Sequence, residues 1–416
     1  MNLLNINTTK PKIKDIIILS FIFFILLFLR RGSQLINPQV WDEDGAFIIP
    51  SFIINGWGNL LEPVSGYLIT IPKIITNISM SISFIYYPEV STYITWFLTI
   101  LIGLLIVYAP TGLKYRVLAA IFVFLIPTNA EAFGLPLYML WWSSIILFIV
   151  ALWKQRVHQI FKNLLLIIAG FSTPVIVIMI PIQIFRAIFF ERKKEEIISL
   201  VIAIVISIIQ LSFIIHHQDT RNINNIDLVF LQNLIIKYFS YYYLNGFGLS
   251  SAMELIGGLY IVGIIIFYGV NNIKDYYFLI LLYLLIATIS LSVVRMGVMI
   301  VPIFGGGARY FFLPYIVMSW TLIYIMAKNK YYEFFILPIL ILSIVVALRG
   351  FCRDHVDLQW RKHIDLCQKA KGKYGIPIQL DGQSETTWYM VLYSKNCKEL
   401  IDKDIFKLPK LDKNHE

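Results

Sequence analysis

Charge is scarce in this chain, and cysteine and histidine are scarcer: 14% of the 416 residues are Asp, Glu, Lys or Arg, with 3 cysteines and 6 histidines. Against 58% hydrophobic residues and a mean hydropathy of +0.74, so little charge excludes an ordinary soluble domain, about 25% of whose residues are charged. Cys-x-x-Cys and metal-site histidine spacings are missing, so no metal centre is expected. The period-two alternation of an outer-membrane barrel is missing as well. No small-residue cleavage site follows the first apolar run, which is therefore expected to be an anchor.

What is present is a series of long apolar runs. Only helices satisfy their own backbone in hydrocarbon, and a core of roughly 30 Å needs about 20 residues per helix. Spans are expected near residues 15–29, 90–109, 115–133, 137–153, 197–215, 252–270, 276–294, 310–327 and 332–349. The expected fold is an all-α polytopic membrane protein of about nine transmembrane helices plus a re-entrant segment, with a small α+β C-terminal domain. The net charge of +10 reflects orientation rather than nucleic-acid binding. Lys10, Lys12 and Lys14 precede the first span, and Lys114, Arg116, Lys154, Arg156, Arg192, Lys193, Lys194, Lys274, Lys328 and Lys330 fall in loops on the same side. That pattern places the N-terminus inside and the C-terminus outside, provided that residues 163–190, broken at Phe171-Ser172-Thr173-Pro174 and at Pro181, form a re-entrant pair of half-helices.

The chain then divides into a transmembrane core, residues 1–349, and a C-terminal domain, residues 350–416. The core carries a first outer loop at 30–88, with amphipathic helices expected at 46–57 and 67–85, and a second at 216–251. In the tail a helix is expected at 354–371, followed by a hairpin of strands 375–380 and 386–392. All three cysteines, Cys352, Cys367 and Cys397, lie there, which suits an oxidising compartment with one pair bridged and one thiol left over.

Candidate chemistry begins with Trp41-Asp42-Glu43-Asp44-Gly45, just beyond the first span. The three carboxylates read either as a solvated patch or as a general base whose proton affinity is raised by crowded like charge. A divalent cation could also be held, although further oxygen ligands are not evident. Trp41 suits interface anchoring or sugar stacking, and Gly45 a tight turn. Gly305-Gly306-Gly307-Ala308-Arg309-Tyr310 opens a later span from the same side, either as a hinge with a snorkelling arginine or as a phosphate cradle. Lys73 and Arg295 are lesser phosphate candidates that also suit snorkelling. Glu131, near Trp141 and Trp142, is a substrate-binding or helix-end acid, and His216-His217 reads as a polar loop start. Trp360, Trp388 and Tyr389 could stack on a sugar or pack in the tail's core.

These residues carry a resemblance. One N-terminal span, an acidic run in the first outer loop, several spans and an outer C-terminal domain resemble the GT-C class of polyprenyl-phosphate-sugar-dependent glycosyltransferases. The length, span count and re-entrant segment are similar to the phage-encoded serotype-converting O-antigen glucosyltransferases. The topology likeness covers essentially the whole chain, whereas the motif likeness is confined to the acidic run and Ala308-Arg309-Tyr310. The resemblance implies Asp44 or Glu43 as base with Asp42 as a charge-tuning neighbour, and Arg309 neutralising the donor phosphate. It implies an undecaprenyl-phosphate-linked glucose donor, a lipid-linked O-antigen acceptor and surrounding membrane lipids as partners, in the bacterial inner membrane. A lipid-linked sugar flippase or an O-antigen polymerase is the alternative. Apolar span centres and the lack of an internal repeat disfavour the flippase.

Overall fold

The computed structural model describes residues 12–154, 157–190, 193–217, 227–296, 302–304, 307–379 and 388–407. Gly305, Gly306 and the expected hairpin turn at 381–385 lie outside them. The apolar runs fold as helices: α1 Ile13–Ile36, α2 Ile49–Asn55, α3 Thr70–Ile82, α4 Tyr87–Tyr108, α5 Arg116–Phe124, α6 Met139–Ala151, α7 Gln159–Gly170, α8 Met179–Phe189, α9 Lys193–His216, α10 Leu228–Ile235, α11 Tyr241–Leu244, α12 Ser251–Asn271, α13 Tyr276–Met296, α14 Arg309–Met326 and α15 Lys330–Leu348. Polar residues set several starts: Asp227, Ser250 and Asn329 accept from the amides of Phe230, Met253 and Tyr332 and so cap α10, α12 and α15.

Among the described residues six helices are long and apolar enough to cross a membrane: α4, α9, α12, α13, α14 and α15. The span expected at 15–29 lies within α1, which is broken at Arg31 (φ −147°, ψ 40°). Two expected spans hold helices shorter than expected. Residues 115–133 yield only the 9-residue α5, and residues 137–153 only the 13-residue α6. At 1.5 Å per residue neither reaches about 30 Å.

Between them, residues 125–138 leave the helix because side chains satisfy their carbonyls. Buried Arg30 donates to the carbonyls of Thr128 (2.9 Å) and Ile126 (3.3 Å), and Arg31 to that of Ala130 (3.2 Å). These two arginines are thus internal fasteners as well as charges at the end of a helix.

Residues 163–190 form the helices α7 and α8, joined by a 3-10 turn at Pro174–Ile178 that Thr173 caps. Three groups hold the base of this hairpin. Glu196 on α9 accepts from Arg186 Nε (2.9 Å) and Nη2 (2.8 Å) and from Lys162 Nζ (3.1 Å), all fully buried. Its tip is tied to the first loop, where Thr70 Oγ1 donates to the Phe171 carbonyl (2.9 Å) and Gln210 of α9 bridges Leu68 and Gly170.

The main core is built around α14, which is buried along nearly its whole length and packs against α5, α6, α13 and α15. A second core joins the tail to the first loop. The tail contains α16 Trp360–Lys369, strands β1 Lys373–Ile378 and β2 Trp388–Tyr393, and α17 Ser394–Asp402. The strands pair antiparallel from Lys373 opposite Tyr393 to Ile378 opposite Trp388, two residues earlier than expected for the first strand. Cys367 and Cys397 form a disulfide between α16 and α17, leaving Cys352 as the free thiol. Trp360, Ile364, Ile376, Ile378 and Met390 pack with Val40, Ile49, Met80, Phe84 and Tyr87 of the core. The tail is therefore continuous with the acidic loop.

Candidate active site

The acidic run sits where α1 has ended and the tail begins to pack. The Gln379 N–H donates to the Val40 carbonyl (3.0 Å) and the Asp42 N–H to the Gln379 carbonyl (2.7 Å), so residues 40–42 extend the tail's hairpin as a short parallel edge. Gly45 then enters a π-helical turn at Asp44–Ile48. The glycine is needed for a close approach rather than a tight turn: a Cβ there would lie 2.8 Å from Ile378 Cγ2 and 3.0 Å from Val40 Cγ1.

From this platform the three carboxylates enter different surroundings, although the Asp42 and Glu43 side chains stay within hydrogen-bonding reach of each other. Glu43 lines a cavity of about 550 Å³ together with Tyr67, Tyr138, Arg295, Arg309 and Tyr310. Asp44 is fully buried and accepts from the Leu137 amide (3.3 Å). Burial first, with the charges of Glu43 and Asp42, holds its carboxyl well above the ordinary range against the opposing pull of the Leu137 amide. Asp42 is also buried. Loss of hydration first, and the Glu43 charge next, push it up to about 8. Neither aspartate lines the cavity. No group of three or more His, Cys, Asp or Glu side chains converges as a metal cage among the described residues, so a divalent cation on this run has no support in the geometry.

Opposite Glu43 the wall is basic and phenolic. Arg309 opens α14, and its Nη1 donates to Glu131 Oε1 (2.5 Å) and to the Tyr138 hydroxyl (3.1 Å). Tyr138 donates to Glu131 Oε1 (3.1 Å) and accepts from the Trp41 indole N–H (3.3 Å). Tyr67 lies within the fields of Tyr310, Arg295, Glu43 and Arg309, and burial, the largest cause, pushes its phenol up to about 12. It is presented by a two-residue turn, Ser65-Gly66, with φ of +51° and +86° between the paired Val64 and Tyr67.

The rest of the lining is mostly apolar: Ile69, Leu137, Leu140, Trp141, Pro174 and Val175 from the hairpin tip and its neighbours. Ile215 of α9 and Leu291 and Val294 of α13 line the cavity and are also exposed, so it opens between the ends of these two helices.

The structure thus brings together Glu43, Arg309, Tyr310 and Arg295 from positions far apart in sequence. Other candidate residues lie elsewhere. Lys73 is buried and donates to the carbonyls of Asn59 (2.5 Å) and Glu62, holding the loop before α3. Trp41 is 2% exposed, with the guanidinium groups of Arg31 and Arg353 at 4.8 and 5.1 Å from its ring centre, so its faces carry cations rather than an open platform. Trp388 and Tyr389 are exposed on β2 outside the cavity lining, and Trp360 is packed in the tail's core against Phe84. His217 lines the cavity, whereas His216 does not.

Tyr67 and Tyr138 are site residues that sequence reasoning does not single out, whereas the re-entrant segment is expected there and its tip does line the cavity. The Ser65-Gly66 turn was a readable signal for Tyr67, whereas nothing local marks Tyr138. Comparison with family models, curated proteins and solved structures yields no match for this chain.

Proposed function

We propose that this chain is a multi-pass glycosyltransferase of the bacterial inner membrane, with its N-terminus in the cytoplasm and its C-terminal domain in the periplasm. Its donor is a polyprenyl-phosphate sugar, specifically undecaprenyl-phosphate-glucose, and its acceptor a hydroxyl of the lipid-linked O-antigen repeat. The observation that carries this reading is the composition of one cavity: a carboxylate, Glu43, shares it with Arg309 and Arg295, and the remaining wall is largely apolar and opens between two helices. A charged end and an apolar flank suit an amphiphile with an anionic head.

In the proposed reaction Glu43 takes the proton of the acceptor hydroxyl, whose oxygen attacks the anomeric carbon from the face opposite the phosphate. The carbon–oxygen bond to phosphate breaks, its electron pair remains on the phosphate oxygen, and Arg309 neutralises the growing charge with Arg295 and Tyr310 nearby. Displacement inverts the anomeric centre. Asp42 and Asp44 hold the loop that presents Glu43, and Lys73 holds the loop beyond it.

Glucose incorporation into O-antigen tests this in cells expressing the wild-type chain or Arg309→Ala at matched membrane levels. The expected result is glucose addition with an unchanged ladder length, lost in the variant. A changed ladder length indicates a polymerase instead, and no sugar added by the wild type indicates transport or another donor.

A further inference from the structure

Arg309 is held from two directions by one buried side chain. Glu131 Oε1 accepts from Arg309 Nη1 (2.5 Å), while Glu131 Oε2 accepts from the Arg309 backbone amide (3.2 Å), the first amide of α14. The Glu131 side chain is 4% exposed and the Arg309 side chain 27%, so the acid lies behind the arginine, which faces the cavity. Tyr138 completes the frame by contacting both Glu131 and Arg309 through its hydroxyl and by accepting from the Trp41 indole. Glu131 is itself oriented, because Asn129 Oδ1 accepts its backbone N–H (3.0 Å) and Arg31 fastens the adjoining Ala130 carbonyl. Among the described residues both hydrogen bonds to the guanidinium use Nη1. A fork held at one corner keeps its other donors for a planar or tetrahedral anion.

We infer that Glu131 and Tyr138 are positioning residues that preset the Arg309 guanidinium as the anion-binding group of the cavity. Neither transfers a proton or contacts the reacting carbon in this role; they act through Arg309. The inference rests on the phosphate-donor reading above. Glu131 could instead be a plain counter-ion, and the two roles differ in sign. A counter-ion competes with the ligand phosphate, so its neutralisation tightens anion binding. A positioning acid fixes the fork before the ligand arrives, so its neutralisation weakens binding and lowers discrimination.

The test uses the full chain in lipid nanodiscs, with undecaprenyl phosphate and undecaprenol as probes and binding followed by native mass spectrometry. The wild type is expected to prefer the phosphate over the alcohol. Glu131→Gln should reduce that preference at least tenfold, and Tyr138→Phe, which changes no charge, should reduce it severalfold. In an Arg309→Ala background neither substitution should reduce it further, because a group that acts through Arg309 has nothing left to position. Tyr138→Phe, alone and in the Arg309→Ala background, carries the test if Glu131→Gln fails to fold. Equal or tighter phosphate binding by Glu131→Gln overturns the positioning role, as does an undiminished effect in the Arg309→Ala background. A wild type that binds phosphate and alcohol alike, with Arg309→Ala unchanged, overturns the donor reading itself.

Discussion

At the scale of single residues the acidic run separates three similar carboxyls by environment. Asp42 titrates at about 8, against an ordinary 3.8, because it is buried beside Glu43. Between those values folded Asp42 holds a proton that the unfolded chain has released, so the contribution of Asp42 to stability falls as pH rises from about 4 to about 8 and levels off above. Thermal unfolding of wild type and Asp42→Asn across that range checks this: the midpoint should decline for the wild type and decline less for the variant. Parallel curves would show that Asp42 contributes no such linkage.

The run itself was legible in sequence, because charge beside an apolar span stands out. Which carboxylate faces the cavity was not, since a one-residue step in a π-helical turn decides it. Glu131 and Arg309 were each visible as an isolated candidate, but their pairing across 178 positions is a property of the folded chain alone.

At the scale of elements the tail and the hairpin α7–α8 position the site. Gly45 lies under Ile378 so closely that an added methyl group must displace it, an overpacking cost of about 1–3 kcal/mol. Gly45→Ala should therefore lower sugar transfer at unchanged membrane abundance, and Ile378→Ala in the same chain should restore it. Failure of that rescue would separate the tail from the acidic loop. At the hairpin base, Glu196→Gln leaves Lys162 and Arg186 buried without their carboxylate, and breaking a buried pair costs about 3–5 kcal/mol. A lowered unfolding midpoint should follow, while an unchanged one would mean that the hairpin does not depend on this clamp.

The hairpin was readable from Ser172-Thr173-Pro174, since proline restricts the residue before it and removes a donor. The helices within 115–133 and 137–153 are shorter than their apolar runs because hydropathy is blind to Arg30 and Arg31, which satisfy the loop carbonyls between α5 and α6. An apolar segment folds as a loop where distant side chains meet its backbone needs.

At the scale of the whole molecule, the described residues include six membrane-length helices, three of which, α9, α13 and α14, join the first loop in lining a cavity with a carboxylate and a basic wall, while the tail shares a core with that loop. Composition sufficed for the helical membrane class, because so little charge cannot cover a soluble surface. The cavity was beyond composition, since its lining comes from the first loop, the hairpin tip, α9, α13 and α14. Its polar groups mean little singly; together they are what the proposed displacement of a sugar from a phosphate rests on. The most direct measurement is transfer of radiolabelled glucose from undecaprenyl-phosphate-glucose to lipid-linked O-antigen by the purified chain in nanodiscs, comparing wild type with Glu43→Gln. Loss of a general base should cut the rate about 10²–10⁴-fold while the variant still binds the donor. Equal rates in the two proteins would contradict Glu43 as the base, and no transfer by either would contradict the glucosyltransferase reading.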